Sequence, residues 1–268
     1  MKLVSSLVFT SFVAVASPAL AQPAPPEMPL PNIMSTAPGL SLEARFDYTD
    51  FDFLADNVDV LGLNVQLQYV GPRNWGGYLN IPFGFVDGPT DNEGAIGNLE
   101  LGGLYVIRSG PGTDFYIQPA LALDTADRDG ELFVPLAHVL ARPADAFPTG
   151  LDTNWLRIHG GLQHTAGALR IGGRVGLDFT LDNDDDNALL VAAGSVGIQQ
   201  RGWGISGGLT LLDVLDDNNN NDDDTIVALN IMADFNVGQT ALLFVSLGTN
   251  FEDDYDGYSL GVGVRFGL

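Results

Sequence analysis

The chain has 268 residues, no cysteine and a formal charge of -23; its 11 basic residues are Lys2 and, by difference, ten arginines, against 34 acidic residues. Such acidity excludes a nucleic-acid-binding surface, and the lack of cysteine excludes disulfides, thiolate metal sites and cysteine nucleophiles. The 46% of hydrophobic residues and 33 glycines, set in regular alternation, argue against disorder and for a folded sheet protein.

Residues 1–21 carry one positive charge at Lys2, an apolar run from Leu3 to Ala16 and the tripeptide Ala19-Leu20-Ala21 before Gln22, the pattern of a cleaved secretory signal. The run is broken by Ser5, Ser6, Thr10 and Ser11 and is shorter than the roughly 20 apolar residues of a spanning helix. Residues 22–39 hold Pro23, Pro25, Pro26, Pro29, Pro31 and Pro38 without periodicity and read as an extended tail.

From Leu40 onward the period is two. Leu40, Leu42, Ala44, Phe46 and Tyr48 share one face; Leu61, Leu63, Val65, Leu67 and Tyr69 share the next, with Asn64, Gln66 and Gln68 between them. Similar segments are expected at 75–85, 95–107, 115–124, 155–164, 169–181, 188–199, 203–213, 225–237, 240–250 and 258–268, about twelve in all, each near the length of a tilted membrane strand. In the last, Tyr258, Leu260, Val262, Val264, Phe266 and Leu268 oppose Ser259, Gly261, Gly263, Arg265 and Gly267, so one face suits lipid and the other is small or polar.

The connections alternate in length. Those at 71–74, 108–112, 165–168, 200–202 and 238–239 are short. The others are mostly longer and carry the acid: Asp50, Asp52, Asp56 and Asp59; Asp87, Asp91 and Glu93; Asp127, Asp129 and Glu131; then 182–187, 216–224 and 252–256. For the hairpin at 165–168, a turn centred on those residues pairs Leu162 with Ile171, Gly160 with Gly173, Ile158 with Val175 and Leu156 with Leu177 on the apolar face. The other face then pairs Gln163 with Arg170 and His159 with Arg174, and sets Arg157 opposite Gly176. Aromatics gather at strand ends: Phe46, Tyr48, Phe83, Phe85, Phe179 and Tyr258 at one, Tyr69, Trp75, Tyr105, Trp203 and Phe266 at the other, as interfacial girdles do.

Over Leu40 to Leu268 the chain resembles the Gram-negative outer-membrane β-barrel class, porin-like and of about twelve strands. Its terminal segment is similar to the class's C-terminal assembly signal, with Leu268 where an aromatic is usual and Phe266 two residues before it. The segment Ile96 to Tyr105 is loosely similar to one in barrels associated with transport of aromatic compounds. The resemblance implies an all-β antiparallel transmembrane barrel in the outer membrane, with a periplasmic tail at 22–39, short periplasmic turns and long acidic extracellular loops. It also implies contact with membrane lipid, lipopolysaccharide and the barrel assembly machinery. A soluble β-sandwich would need a core on the face assigned here to lipid.

Twelve strands enclose a lumen that is either a narrow channel or filled by side chains. Residues expected to face it are Arg157, His159, Arg170, Arg174, Glu100, Asp178, Asp234 and Arg265, with Glu43, Arg45 and Asp47 beside them. The basic stripe Arg157, His159, Arg170 and Arg174 either guides an anionic solute or closes the core as buried ion pairs. In the longest connection, 125–153, Leu132, Phe133, Leu136, Val139 and Leu140 recur at helical spacing, and Pro135 fits a first turn. So apolar a loop is expected to fold into the barrel mouth as a constriction or plug, the alternatives being to pack over a neighbouring loop or to bind a partner.

Asp182, Asp184 and Asp186, with Asp216, Asp222 and Asp224, offer oxygen ligands for loosely held Ca2+ or Mg2+; Asn187 and Ala193 depart from the EF-hand pattern, and solvated loops explain the same acids. No cofactor is required. Barrels of this size include lipid hydrolases with a His-Ser pair; only His138, His159 and His164 could serve, and His164, the one expected to face lipid, has no serine on its strand or the facing one set to be activated, so no enzyme is expected. The reading is a porin-like channel or facilitator for small solutes; the alternative is a closed surface barrel whose acidic loops bind divalent cations or a partner.

Overall fold

The computed structural model describes residues 34–53, 56–87, 92–126, 134–135, 137–138, 141–150, 153–181, 188–215, 225–238, 240–251 and 257–268, apart from some side chains within them. In chain order the described strands are β1 (Gly39–Phe53), β2 (Asp56–Val70), β3 (Trp75–Asp87), β4 (Asn92–Ile96), β5 (Leu99–Gly110) and β6 (Thr113–Leu123). A short helix α1 (Pro143–Gly150) precedes β7 (Trp155–Ala166), β8 (Leu169–Thr180), β9 (Ala188–Gln199), β10 (Trp203–Leu215), β11 (Thr225–Val237), β12 (Ala241–Asn250) and β13 (Gly257–Gly267). Both β4 and β5 pair with β3, as two lengths of one stave broken at Gly97-Asn98. All pairings are antiparallel, and because β1 bonds to both β2 and β13 the sheet closes into a barrel of twelve staves with no free edge.

The two-residue period decides what each face meets. Leu61, Leu101, Ile158, Val175, Leu209, Val245 and Leu260 are all exposed on the outer wall, a continuous apolar band that water would not tolerate and lipid would. At the short-turn end Tyr69, Trp75, Trp203 and Phe266 are exposed, and Trp75 stacks on Tyr105 at 4.3 Å between ring centroids; at the long-loop end Phe46, Phe85 and Tyr258 are exposed. Among the described residues no helix is long and apolar enough to cross a membrane.

Two expectations are corrected. The β7–β8 hairpin keeps the expected faces but not the expected partners: Leu162 opposes Gly173, His164 opposes Ile171, Ile158 opposes Leu177 and Leu156 opposes Phe179. On the inner face Gln163 opposes Gly172, Gly161 opposes Arg174, His159 opposes Gly176 and Arg157 opposes Asp178. The turn is the two residues Gly167-Ala168, not four, and Gly167 takes φ +62° as the first central position of a II′ turn requires. A shift of two residues preserves both faces, so face chemistry alone could not detect it.

The acids Asp52, Asp56, Asp87 and Glu93, expected in loops, lie in strands instead, and so do Asp50 and Asp59. The last two oppose each other where β1 and β2 run on as a ribbon, and Tyr48 Oη donates to Asp59 Oδ1 at 2.7 Å beside them.

Candidate functional site: the lumen and its inward-folded segment

The inner face is a lattice of polar side chains. Asn64, Gln66 and Gln68 of β2, Asn80 of β3, Gln118 of β6 and Asn230 of β11 are buried, as are Glu43, Arg45 and Asp47 of β1. Arg157, His159, Arg170, Arg174, Glu100, Asp178 and Asp234 all point inward and are buried; Arg265 points inward and is half-buried. The alternation that aims apolar side chains at lipid sends these groups to the lumen.

Arg157 is the centre of the network. Its Nη1 lies 2.9 Å from Glu100 Oε2, its Nη2 lies 3.0 Å from Asp145 Oδ1, and its Nε is in ion-pair contact with Asp178 Oδ1 at 3.1 Å. Nη2 also donates to Ala144 O at 2.7 Å, at the start of α1. Asp178 Oδ1 contacts His159 Nε2 at 2.6 Å, and Tyr78 Oη donates to Glu100 Oε1. Gly176, directly opposite His159, leaves room for the imidazole, which a Cβ there would overlap. Arg157, Glu100, Asp145 and Asp178, four charges at 1% side-chain exposure or less, would be intolerable singly; linked, each has a partner.

The rest of the network comes from the 125–153 connection. Val134, Ala137, His138, Ala141, Arg142, Ala144 and Asp145 are buried inside the barrel, and Val134, Pro135, Ala137 and His138 are helical. Leu132, Phe133, Leu136, Val139 and Leu140 lie outside the described residues, as do Asp182, Asp184, Asp186, Asp216, Asp222 and Asp224. The described part touches walls on several sides. Arg45 Nη2 of β1 donates to Ala141 O at 3.3 Å and Thr49 Oγ1 to Ala137 O at 3.1 Å. Asn98, buried in the break between β4 and β5, donates to Pro148 O at 3.3 Å and Thr153 O at 3.4 Å while accepting from Thr125 N and Ala126 N.

A second contact is apolar. Ala144 joins Ala122, Trp155, Leu189, Val191, Leu212 and Ile226 in a buried cluster on β6, β7 and β9–β11. The inner wall is therefore apolar on that side near the long-loop end, which the sequence reading of a polar lumen does not anticipate.

Arg142 and Asp145 are the residues sequence reasoning missed. Arg142 Nη2 lies 2.8 Å from Asp145 Oδ2, an i,i+3 pair whose signal in the sequence is two opposite charges at helical spacing inside an apolar loop. Burial acts to raise the Asp145 carboxyl, but the guanidinium groups of Arg142, Arg157 and Arg174 outweigh it and hold the group below the usual carboxylate range. His138 is the opposite case: burial, then the positive charges of Arg142 and Arg45, push its imidazole down to about 3. It is neutral at physiological pH, so its 3.9 Å approach to Asp47 Oδ2 is not an ion pair.

The short-turn end is filled differently. Met34, Ser35 and Thr36 are buried in the mouth. Met34 N donates to Gln68 Oε1 at 2.9 Å, Arg265 Nη1 donates to Met34 O at 2.8 Å, Arg108 Nη2 donates to Thr36 O at 3.0 Å, and Thr36 Oγ1 donates to Asp114 Oδ2 at 2.8 Å. Arg265 is anchored in turn by Glu43 Oε2, 2.8 Å from its Nε.

Neither a protein-family model nor a curated protein matches the sequence. Solved structures do match in shape. An outer-membrane channel from Pseudomonas putida F1 superposes with a TM-score of 0.63 at 12% identity, covering 87% of this chain and 97% of that one. The chain has the fold of the outer-membrane β-barrels. The NanC porin follows at a TM-score of 0.58 and 10% identity, over 85% of this chain and 100% of that one. The KdgM porin, in complex with disordered oligogalacturonate, gives 0.55 and 11%, over 85% and 99%.

Proposed function

We propose that this protein is an outer-membrane channel for small solutes whose lumen is closed at rest by the segment around α1. The observation that carries the reading is the inner wall: Arg157, Arg174, Glu100, Asp178, Arg45 and Asp47 form a charged lining that a barrel serving only as a scaffold does not need, and an inward-folded segment sits against it. The barrels it resembles in fold include proteins described as channels and porins, which supports the same direction. Lipid and lipopolysaccharide meet the apolar outer wall, the assembly machinery reads the terminal β13, and the N-terminal segment faces the periplasm. No catalytic role is assigned; the contact between Thr113 Oγ1 and His164 Nδ1 at 2.8 Å joins neighbouring strands at the short-turn end.

The second reading is a permanently closed barrel whose loops bind divalent cations or a partner, and the filling of both ends favours it. Liposome swelling separates the two. Vesicles holding the refolded protein and challenged with glycerol and a pentose are expected to swell faster than protein-free vesicles, and faster still when residues 134–150 are replaced by a short Gly-Ser linker. Equal rates with and without protein, in both forms, would leave the closed barrel.

A further inference from the structure

The carboxylate of Asp145 is held as a ligand is held. Arg157 Nη2 lies 3.0 Å from Oδ1, Arg142 Nη2 and Nε lie 2.8 Å and 3.2 Å from Oδ2, and Arg174 acts on the same group from β8. Arg157 and Arg174 belong to the barrel wall, whereas Arg142 moves with the segment. The same segment is bonded to β1, through Arg45 Nη2 to Ala141 O at 3.3 Å and Thr49 Oγ1 to Ala137 O at 3.1 Å, and β1 lies six staves from β8 in either direction round the barrel, on the opposite wall. Asp47 Oδ1 takes Arg45 Nε at 2.7 Å, but its Oδ2 is buried with no hydrogen-bond donor among the described residues. From wall to wall the order is β1, the segment with its Arg142–Asp145 pair, then the arginines of β7 and β8.

We propose that the Arg142–Asp145 pair is an internal stand-in for a small zwitterionic solute, one with a carboxylate and a protonated amine a few bonds apart. Its carboxylate takes the Arg157–Arg174 side, its amine takes Asp47, and α1 leaves the lumen by exchange. The inference rests on the channel reading and names the solute class of that same site.

Charge counting selects the class. Among the described inward-facing residues of the wall, Arg45, Arg157, Arg170, Arg174 and Arg265 balance Glu43, Asp47, Glu100, Asp178 and Asp234 in number. The departing pair is neutral and stays paired with itself in water as an i,i+3 contact. A dipolar entrant therefore leaves the balance unchanged, whereas a lone anion or cation adds an uncompensated charge to a poorly solvated lumen. The orphan oxygen of Asp47 distinguishes the two ends: among the described residues it has no donor, and an amine-bearing entrant would supply one.

Trp155 packs in the same buried cluster as Ala144 of α1, while the other two tryptophans, Trp75 and Trp203, are exposed on the outer wall. In the full-length protein carrying Trp75→Phe and Trp203→Phe, reconstituted in phospholipid vesicles, Trp155 emission reports whether α1 is seated. The probes are 4-aminobutyrate, butyrate and butylammonium, matched in size and compared at constant ionic strength. The expected result is a saturable emission change whose half-saturation for 4-aminobutyrate lies at least about tenfold below the other two, the factor for about 1.4 kcal/mol. Arg157→Gln abolishes the response, and Asp47→Asn removes the preference over butyrate.

Asp145→Asn lies in the segment, outside the barrel staves, and weakens the internal competitor, so half-saturation by 4-aminobutyrate falls by about tenfold. Equal responses to the three probes, or none in both the parent and Asp145→Asn, overturn the inference. Swelling on the same vesicles keeps the two proposals apart. Permeation without a zwitterion-selective Trp155 response sinks the exchange and leaves the channel; a selective response without permeation sinks the channel and leaves the binding site.

Discussion

The two ends of the lumen are filled by different chemistry. At the short-turn end residues 34–36 are held through backbone groups, with Met34 N, Met34 O and Thr36 O each bonded to a side chain of the wall. At the long-loop end α1 is held by side-chain charges, above all Asp145 against Arg157 and Arg142, and by an apolar seat beneath Ala144. Backbone hydrogen bonds are nearly indifferent to pH and modest singly, whereas a buried ion network is strong while complete and fails when one member is removed. In the exchange proposal the first end stays and the second leaves.

The largest effect should come from breaking the charged end at its centre. Arg157→Met leaves Glu100, Asp145 and Asp178 without their shared cation and is expected to destabilise by about 3–5 kcal/mol, read as an earlier denaturant midpoint by Trp155 emission. A midpoint that stays in place would mean that these ion pairs carry no stability.

Acid is expected to act next, and only at the same end. His138 faces Asp47 and Arg45 of β1 and Arg142 and Asp145 of its own segment. Its imidazole is near 3 when seated and near 6.5 when released, so the released form binds the extra proton. Seating is therefore fully stable above about pH 6.5 and weakens as pH falls toward 3, by about 2 kcal/mol at pH 5. Asp145, whose carboxyl is already depressed, adds to the loss once pH falls into the ordinary carboxylate range and below. A pH titration of Trp155 emission measures this, and His138→Gln should flatten it between pH 6.5 and 5; an unchanged slope in that variant would assign the proton elsewhere.

The smallest effect belongs to the other end. Gln68→Leu removes the acceptor of Met34 N and the donor to Ser35 O, and is expected to cost about 1 kcal/mol per bond with no pH dependence. Limited proteolysis of the N-terminal segment checks it: faster cleavage near Met34 at unchanged Trp155 emission keeps the two ends independent.

How much of this was legible in the sequence follows from what a period of two can encode. It assigns faces, so the lipid wall and inward residues such as Arg157, Asp178 and Glu100 could be read directly. It cannot assign register within an even shift, which is why Arg157 was matched to Gly176 when it faces Asp178, and the shared anion of Arg157 and His159 was missed. The length of β1 and β2 was hidden because Asp50 and Asp59 look like loop residues, although a hydrogen bond from Tyr48 to Asp59 lies beside them. For the longest connection, apolarity pointed inward, but the wall partners of Arg142 and Asp145 depend on a tertiary path that no local pattern records.

The central claim is that a conducting lumen lies behind a displaceable segment, and single-channel recording in a planar bilayer tests it most directly. The wild-type protein should show a predominantly closed baseline with brief openings that lengthen as pH falls from 7 to 5, while the variant with residues 134–150 replaced by a short linker stays open at a steady level. Identical silence from both proteins, each shown to be inserted, would contradict the account.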